Sequence, residues 1–229
     1  MALGKKTKFA LGGCAVVLLV PILGLLWLNH LLFDRTAGEY FDSNGVRIYY
    51  TTEGNPKGDA VILIHGLAAQ SDINWRRPGI NAMLDPDFRV VAFDLRGHGL
   101  SDHPHEPQQY GLETVEDITR LMDHLGIDKF AVMGFCIGGP FIWSLLKRAP
   151  NRVVAAVLAQ PVGWRPEMRD PKYPGAFWHT WGATLVAKRP EITLQTTEQF
   201  VTKMFESTPD FVFSVTRDFV RQCQNPVLI

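Results

Sequence analysis

Short apolar runs that alternate with helix-patterned segments leave this chain few folds to choose from. Residues 60–64 (AVILI) form an uninterrupted apolar stretch after the polar loop 54–59, the composition of a parallel strand buried on both faces. Residues 88–93 (FRVVAF), 130–134 and 153–159 (VVAAVLA) repeat the signal. Between them, 78–84 and 137–148 read as helices. So does the segment from Thr114, where Thr114 and Asp117 supply a Ser/Thr-x-x-acid start. Val115, Ile118, Leu121, Met122 and Leu125 recur there at helical spacing, and Gly126 is a stop signal. Upstream, EYFDSNGVRIYYT holds two β-rich runs around Asn44-Gly45, a pair suited to positive φ in a tight hairpin. The expectation is an α/β fold: a mostly parallel sheet opened by an antiparallel hairpin, with helices on both faces.

The alternation stops at residue 163. Residues 163–222 carry aromatic-rich helical stretches around 177–188, 190–205 and 209–223, and are expected to form an inserted helical cap. Residues 226–229 (PVLI) then begin a further apolar strand, and an ending inside a strand reads as a cut, because termini usually lie exposed and unpaired.

Ahead of the domain, residues 9–28 (FALGGCAVVLLVPILGLLWL) carry no charge, and about 20 such residues suffice for a helix to cross a bilayer. Lys5, Lys6 and Lys8 precede the run and Trp27 closes it. Positive-inside bias then puts residues 1–8 in the cytoplasm, 9–28 in the membrane as a single transmembrane anchor, 29–37 in a linker, and the domain 38–229 on the extracytoplasmic side. The rival reading is a cleaved signal peptide. Its apolar region spans about 7 to 15 residues and closes with a small-x-small site, which LNHLLFDR does not supply.

With 229 residues and 46% apolar content the chain can bury one sizeable core. Lys plus Arg and Asp plus Glu stand at 23 each, so no net field recruits nucleic acid, and a small-molecule partner is expected. Cys14, Cys136 and Cys223 are too few and too scattered for a disulfide framework or a metal cluster. Neither a metal nor an organic cofactor is implied, since no phosphate-binding glycine loop is present either.

The chemistry concentrates in Gly134-Phe135-Cys136-Ile137-Gly138-Gly139, set between a buried strand and a helix. A nucleophile at the apex of such a tight turn stands clear of the sheet, and the flanking glycines remove clashes. The helix from Ile137 offers free N–H groups and a positive dipole end, which favours a thiolate at Cys136. A small buried cysteine in a glycine-rich turn is the other reading of the same six residues. Upstream, His65-Gly66-Leu67 directly follows a buried strand, where Gly66 lets the loop present the Leu67 N–H. Leu67 and Ile137 together would form an oxyanion hole.

His-Gly after one strand, Asp94-Leu95-Arg96-Gly97-His98-Gly99-Leu100-Ser101-Asp102 after the next and Gly-x-Cys-x-Gly-Gly after a third resemble the α/β-hydrolase superfamily, over about residues 40–229. That resemblance implies the α/β-hydrolase fold. The usual nucleophile there is serine, whereas a cysteine in this motif is similar to the dienelactone hydrolases and implies attack on an ester, thioester or lactone. It also implies that Asp94, Arg96, His98 and Asp102 shape a loop and take no part in catalysis. In chain order the superfamily supplies nucleophile, acid and histidine, so both partners of Cys136 would follow the strand begun at Pro226, beyond Ile229. The chain is accordingly expected to lack its last strands and to be inactive as it stands. His179, or Glu167 and Asp170, would be unusual substitutes. Trp164, Phe177, Trp178, Trp181, Phe205 and Phe211 of the cap would line an apolar acyl pocket or simply dock the cap. Two other functions stay open: a non-catalytic, membrane-tethered ligand- or protein-binding module, and acyl transfer to an acceptor other than water.

Overall fold

Asn44 and Gly45 take positive φ values of 58° and 84° and close a hairpin between β1 (Glu39–Ser43) and β2 (Val46–Gly54). The computed structural model describes residues 37–161 and 217–229. Five further strands follow: β3 (Asp59–Ile64), β4 (Phe88–Phe93), β5 (Phe130–Phe135), β6 (Val153–Ala159) and β7 (Val227–Leu228). All seven join one sheet in the order β1-β2-β4-β3-β5-β6-β7. The hairpin and the β2–β4 pair are antiparallel, and every other pair is parallel.

The apolar runs lie where burial is deepest. Ile62 of β3 pairs with Val91 on one side and Val132 on the other, and Ile62, Leu63 and Ile64 are fully buried. One face of the sheet is covered by α2 (Leu112–His124) and α3 (Gly138–Arg148), through Val115, Ile118, Leu121, Met122, Phe141, Ile142, Leu145 and Leu146. The other packs Val61, Leu63, Val90 and Ala92 beneath Trp75 and α1 (Ile80–Leu84). Burial of each such aliphatic side chain stabilises the fold by roughly 1.5–3 kcal/mol.

Two local expectations are corrected. The helix expected over 78–84 is shorter, α1 alone, and a π-helical turn at Asp72–Arg76 precedes it. Asp72 there pairs with Arg76, and with Arg77 at 2.6 Å. Secondly, Thr114 does not cap α2. The helix starts at Leu112 behind Gly111, whose φ of 71° and ψ of −116° interrupt the chain, and Thr114 and Asp117 are buried inside it. Asp117 is taken instead by the Arg96 guanidinium, through bonds of 2.7 and 2.6 Å, and by the Ser43 hydroxyl at 2.5 Å. The stop at Gly126 holds: its φ is 67°, and the Ile127 N–H returns to the Met122 carbonyl at 2.8 Å.

Of the expected cap, only α4 (Arg217–Gln222) is described, with Phe219 edge-on to Trp143 at 6.4 Å. The rest of the cap and the anchor expected at residues 9–28 lie outside the described residues. Among the described residues no helix is long and apolar enough to cross a membrane.

Candidate active site

Parallel pairing decides which loops meet. Ile64 of β3 lies opposite Gly134 of β5, and Phe135 opposite Ala159 of β6, so the loops that follow these three strands emerge side by side at the carboxyl edge of the sheet. Between β5 and α3 the chain reverses at Cys136, whose φ is +55°. A non-glycine residue there costs about 1–3 kcal/mol and persists only where its surroundings over-determine it. Two bonds do so: the Cys136 N–H donates to the Ala159 carbonyl at 3.0 Å, and the Gly139 N–H to the Cys136 carbonyl at 3.2 Å.

Each glycine of the motif marks a contact with no room for a side chain. A Cβ on Gly134 would stand 2.8 Å from the Gly138 carbonyl carbon, one on Gly138 2.7 Å from the Ile64 oxygen, and one on Gly139 2.5 Å from Pro161 Cβ. Gly66 does the same for the facing loop, where an added Cβ would lie 3.0 Å from the Phe135 ring and 3.3 Å from Cys136 Cβ. The His65-Gly66-Leu67 loop is thus packed directly against the elbow. As a result the Ile137 and Leu67 backbone N–H groups both lie near the Cys136 sulfur, where they favour its charged form. Two donors converge beside one nucleophilic atom, with Ile137 at the N-cap of α3.

The thiolate expectation is corrected here. Burial pushes the Cys136 thiol up, and the two N–H donors pull it down without cancelling that effect. No cationic side chain among the described residues contributes. Desolvation therefore outweighs the helix terminus, and Cys136 rests as a neutral thiol that needs a base to ionise.

None of the described histidines bears on that sulfur. His65 is fully buried, with Nε2 facing the Leu95 N–H at 2.9 Å and Nδ1 facing the Gly66 carbonyl at 2.8 Å. His98 is buried 5.2 Å from the His65 ring, and burial lowers its pKa to about 3, so it stays neutral. His124 is stacked on Phe41 at 5.5 Å, at the far end of α2. His30, His179, Glu167, Asp170 and the aromatic residues expected to line the cap lie outside the described residues.

The segment 94–102 is a buried polar scaffold. Asp94 accepts from the Ser71 N–H and hydroxyl at 2.8 and 2.7 Å and from the Leu100 N–H at 2.8 Å, and burial raises its pKa. Gly99 makes room for it, since an added Cβ would collide with Asp94 Oδ2. Arg96 is committed to Asp117 and the Gln109 carbonyl, and Asp102 to Arg47 at 2.9 Å. One residue beside the elbow escaped the sequence reading: Asn74, in the π-helical turn, whose Oδ1 accepts from the Gly66 N–H at 2.7 Å. No periodicity or motif marks it.

Among the described residues no cluster of three or more metal-ligating side chains exists. A surface groove of about 530 Å³ lies between α2 and α3, lined by Val115, Glu116, Thr119, Lys147 and Arg148. It opens at the end of α3 remote from Cys136, about 16 Å along the helix at 1.5 Å per residue.

A family model described as the alpha/beta hydrolase fold matches residues 59–224. Bifunctional epoxide hydrolase 2 of Sus scrofa is 35% identical over 112 residues, which cover 48% of this chain and 20% of that protein. An epoxide hydrolase of Caballeronia sordidicola is 33% identical over 131 residues, 56% of this chain and 39% of that protein. The chain thus spans well under half the length of these curated relatives. Among solved structures, the 2-hydroxy-6-oxo-6-phenylhexa-2,4-dienoate hydrolase of Rhodococcus sp. strain RHA1 superimposes with a TM-score of 0.63 at 24% identity, covering 83% of this chain and 79% of that one.

Proposed function

The chain belongs to the α/β-hydrolase fold family, and from that premise we propose that it supplies the nucleophile and oxyanion hole of a hydrolase acting on an ester, thioester or lactone through Cys136. The observation that carries the reading is the convergence of the Leu67 and Ile137 N–H groups on the Cys136 sulfur at a turn of positive φ. Sulfur attacks the acyl carbon, the carbonyl oxygen gains charge beside the two donors, and the alcohol or thiol leaves with a proton. Water then cleaves the thioester, returning the thiol and releasing the acid. A base must take the thiol proton in the first step and activate water in the second. We assign it to a histidine outside the described residues, held by a carboxylate, in the family's chain order of nucleophile, acid and base.

Relatives named epoxide hydrolases raise a second substrate class, and the chemistry of sulfur argues against it. Opening an epoxide with a thiolate leaves a thioether, whose carbon–sulfur bond water does not cleave, so the enzyme would react once and stop. An acyl group on sulfur is a reactive thioester and turns over. The cysteine also keeps the likeness to dienelactone hydrolases within the proposal.

Incubation of the full chain with p-nitrophenyl butyrate, followed by peptide mass spectrometry, tests the reading. A butyryl adduct on Cys136, removed by neutral hydroxylamine and absent in Cys136→Ala, is expected. Labelling of Cys136 no faster than of Cys223 would overturn it. The raised thiol, with no described histidine upon it, favours the remaining reading of a non-catalytic binding module, which that second result would advance.

We further propose that residues 9–28 anchor the domain in a membrane on the extracytoplasmic side. The full chain should stay with membranes after carbonate extraction and its domain should be cleaved by protease added from that side. Release by carbonate alone would refute the anchor.

A further inference from the structure

Gly66 is gripped on both sides, and the grip bears on the peptide that carries the Leu67 N–H. The Gly66 N–H donates to Asn74 Oδ1 at 2.7 Å. Its carbonyl faces His65 Nδ1 at 2.8 Å and also accepts from the Ala69 N–H at 3.3 Å. The other ring nitrogen fixes the direction of the His65 bond. Nε2 faces the Leu95 N–H, a group that can only donate, so Nε2 accepts and the ring proton of the neutral imidazole sits on Nδ1. His65 therefore donates to Gly66.

A trans peptide is planar, with its C=O and N–H directed to opposite sides. Drawing the Gly66 oxygen toward His65 turns the Leu67 N–H the other way, toward Cys136, against which Gly66 packs and whose charged form that N–H favours. His65 can hold this position because it is itself immobile: its side chain is fully buried against His98, and Leu95, which selects its tautomer, belongs to the scaffold loop after β4. Asn74 fixes the preceding peptide, between His65 and Gly66, so that Gly66 is held at its N–H and at its C=O, and the missing Cβ of Gly66 allows the close approach.

We infer that His65 and Asn74 are positioning residues that clamp Gly66 and thereby orient the Leu67 N–H as an oxyanion donor, with the Leu95 N–H setting the His65 tautomer that makes this possible. The catalytic meaning rests on the acyl-transfer reading above, but the clamp itself can be tested on the resting thiol. Neither residue touches the reacting atoms. Each acts through the peptide it holds.

The readout is the pH profile of iodoacetamide alkylation at Cys136, followed by peptide mass spectrometry on the full chain. His65→Leu and Asn74→Ala free Gly66 and let the Leu67 N–H turn away from the sulfur, which weakens its support of the thiolate. The alkylation midpoint should rise by about one pH unit, and the rate at pH 8 should fall about tenfold. His65→Asn places an N–H donor close to the lost Nδ1–H and should recover most of the rate, which a merely space-filling role would not require. An unshifted midpoint in both His65→Leu and Asn74→Ala, with melting curves showing folded protein, overturns the inference. If those variants do not fold, nitrogen–proton correlation spectra of the wild-type imidazole decide it: a proton held on Nδ1 supports the clamp, and a proton on Nε2 overturns it. A chain that never acylates at Cys136 yet shows the shifted midpoints would keep the clamp and lose the acyl-transfer reading.

Discussion

Replacing Arg96 with methionine separates what the 94–102 loop does for the fold from what it does for the site. Arg96 and Asp117 are 1% and 0% exposed, and they meet through two parallel bonds of 2.7 and 2.6 Å. Ser43 adds a third bond to the carboxylate, so one buried charge ties β1 and α2 to the loop after β4. Methionine fills much of the same volume but leaves Asp117 with no buried counter-ion, and loss of one partner of a buried pair typically costs about 3–5 kcal/mol. For a domain of this size that corresponds to a melting temperature lower by roughly 6–20 °C. The double variant Arg96→Met, Asp117→Leu removes both charges and should recover part of the loss, because the Gln109 carbonyl loses its partner while the Ser43 hydroxyl keeps the Arg120 guanidinium at 3.4 Å. Urea denaturation of the three proteins measures the coupling. Cys136 alkylation, followed in parallel under native conditions, should be the same in every folded variant. A single variant within about 1 kcal/mol of wild type, or a double variant no better than the single, would refute the idea that this ion pair is a scaffold element.

Because burial holds the Cys136 thiol above its ordinary range, its alkylation by iodoacetamide should have a midpoint above the ~8.5 of an unperturbed thiol, and a midpoint below about 8 would show that the helix terminus dominates after all. Gly138→Ala pushes a Cβ into the Ile64 oxygen at 2.7 Å and should destabilise by about 1–3 kcal/mol in thermal melts, slowing Cys136 labelling as the turn shifts; unchanged values of both would contradict the packing. His98 has a folded pKa of about 3 against about 6.5 when unfolded, so the unfolded chain binds an extra proton on acidification. That contribution is fully present above about pH 6.5 and is lost as pH falls toward 3, at up to ~1.4 kcal/mol per unit; between pH 7 and 5 the stability of His98→Gln should fall less steeply than that of wild type, and parallel slopes would place the charge elsewhere.

The strands were legible because their information is local. Residues 88–93 and 153–159 are apolar runs bounded by charges and turns, and β4 and β6 occupy those spans. The tight turn at Cys136 was legible for a related reason, since contacts of 2.5 to 2.8 Å at three positions admit only glycine at each, and the spacing survives in the sequence. What was not legible depends on partners distant along the chain. Asp117 resembles a helix-capping acid until Arg96, 21 residues away, is seen to claim it. Asn74 sits in a π-helical turn without period, and its role follows only from the position of Gly66. The Cys136 thiol shows the limit most clearly: the helix terminus gives the sign of one effect, but desolvation is a property of the assembled loops and exceeds it.

That neutral thiol constrains the mechanism further. In an elbow where sulfur is already a thiolate, a histidine could serve mainly as a counter-ion, and modest attack would survive its loss. Here two backbone N–H groups but no cation among the described residues favour the charged sulfur, so under the acyl-transfer proposal ionisation is driven by the base in the attacking step. The same burial that raises the thiol also strengthens the Leu67 and Ile137 donors once charge moves from sulfur to the carbonyl oxygen, because a desolvated hydrogen bond to an anion is stronger than one exposed to water. On that proposal the site favours charge on oxygen after attack over charge on sulfur before it. Hydrolysis of an acyl group through this turn should then follow the ionisation of the base, with Cys136 itself silent until the more alkaline range, above that of an ordinary thiol, in which its own thiol titrates.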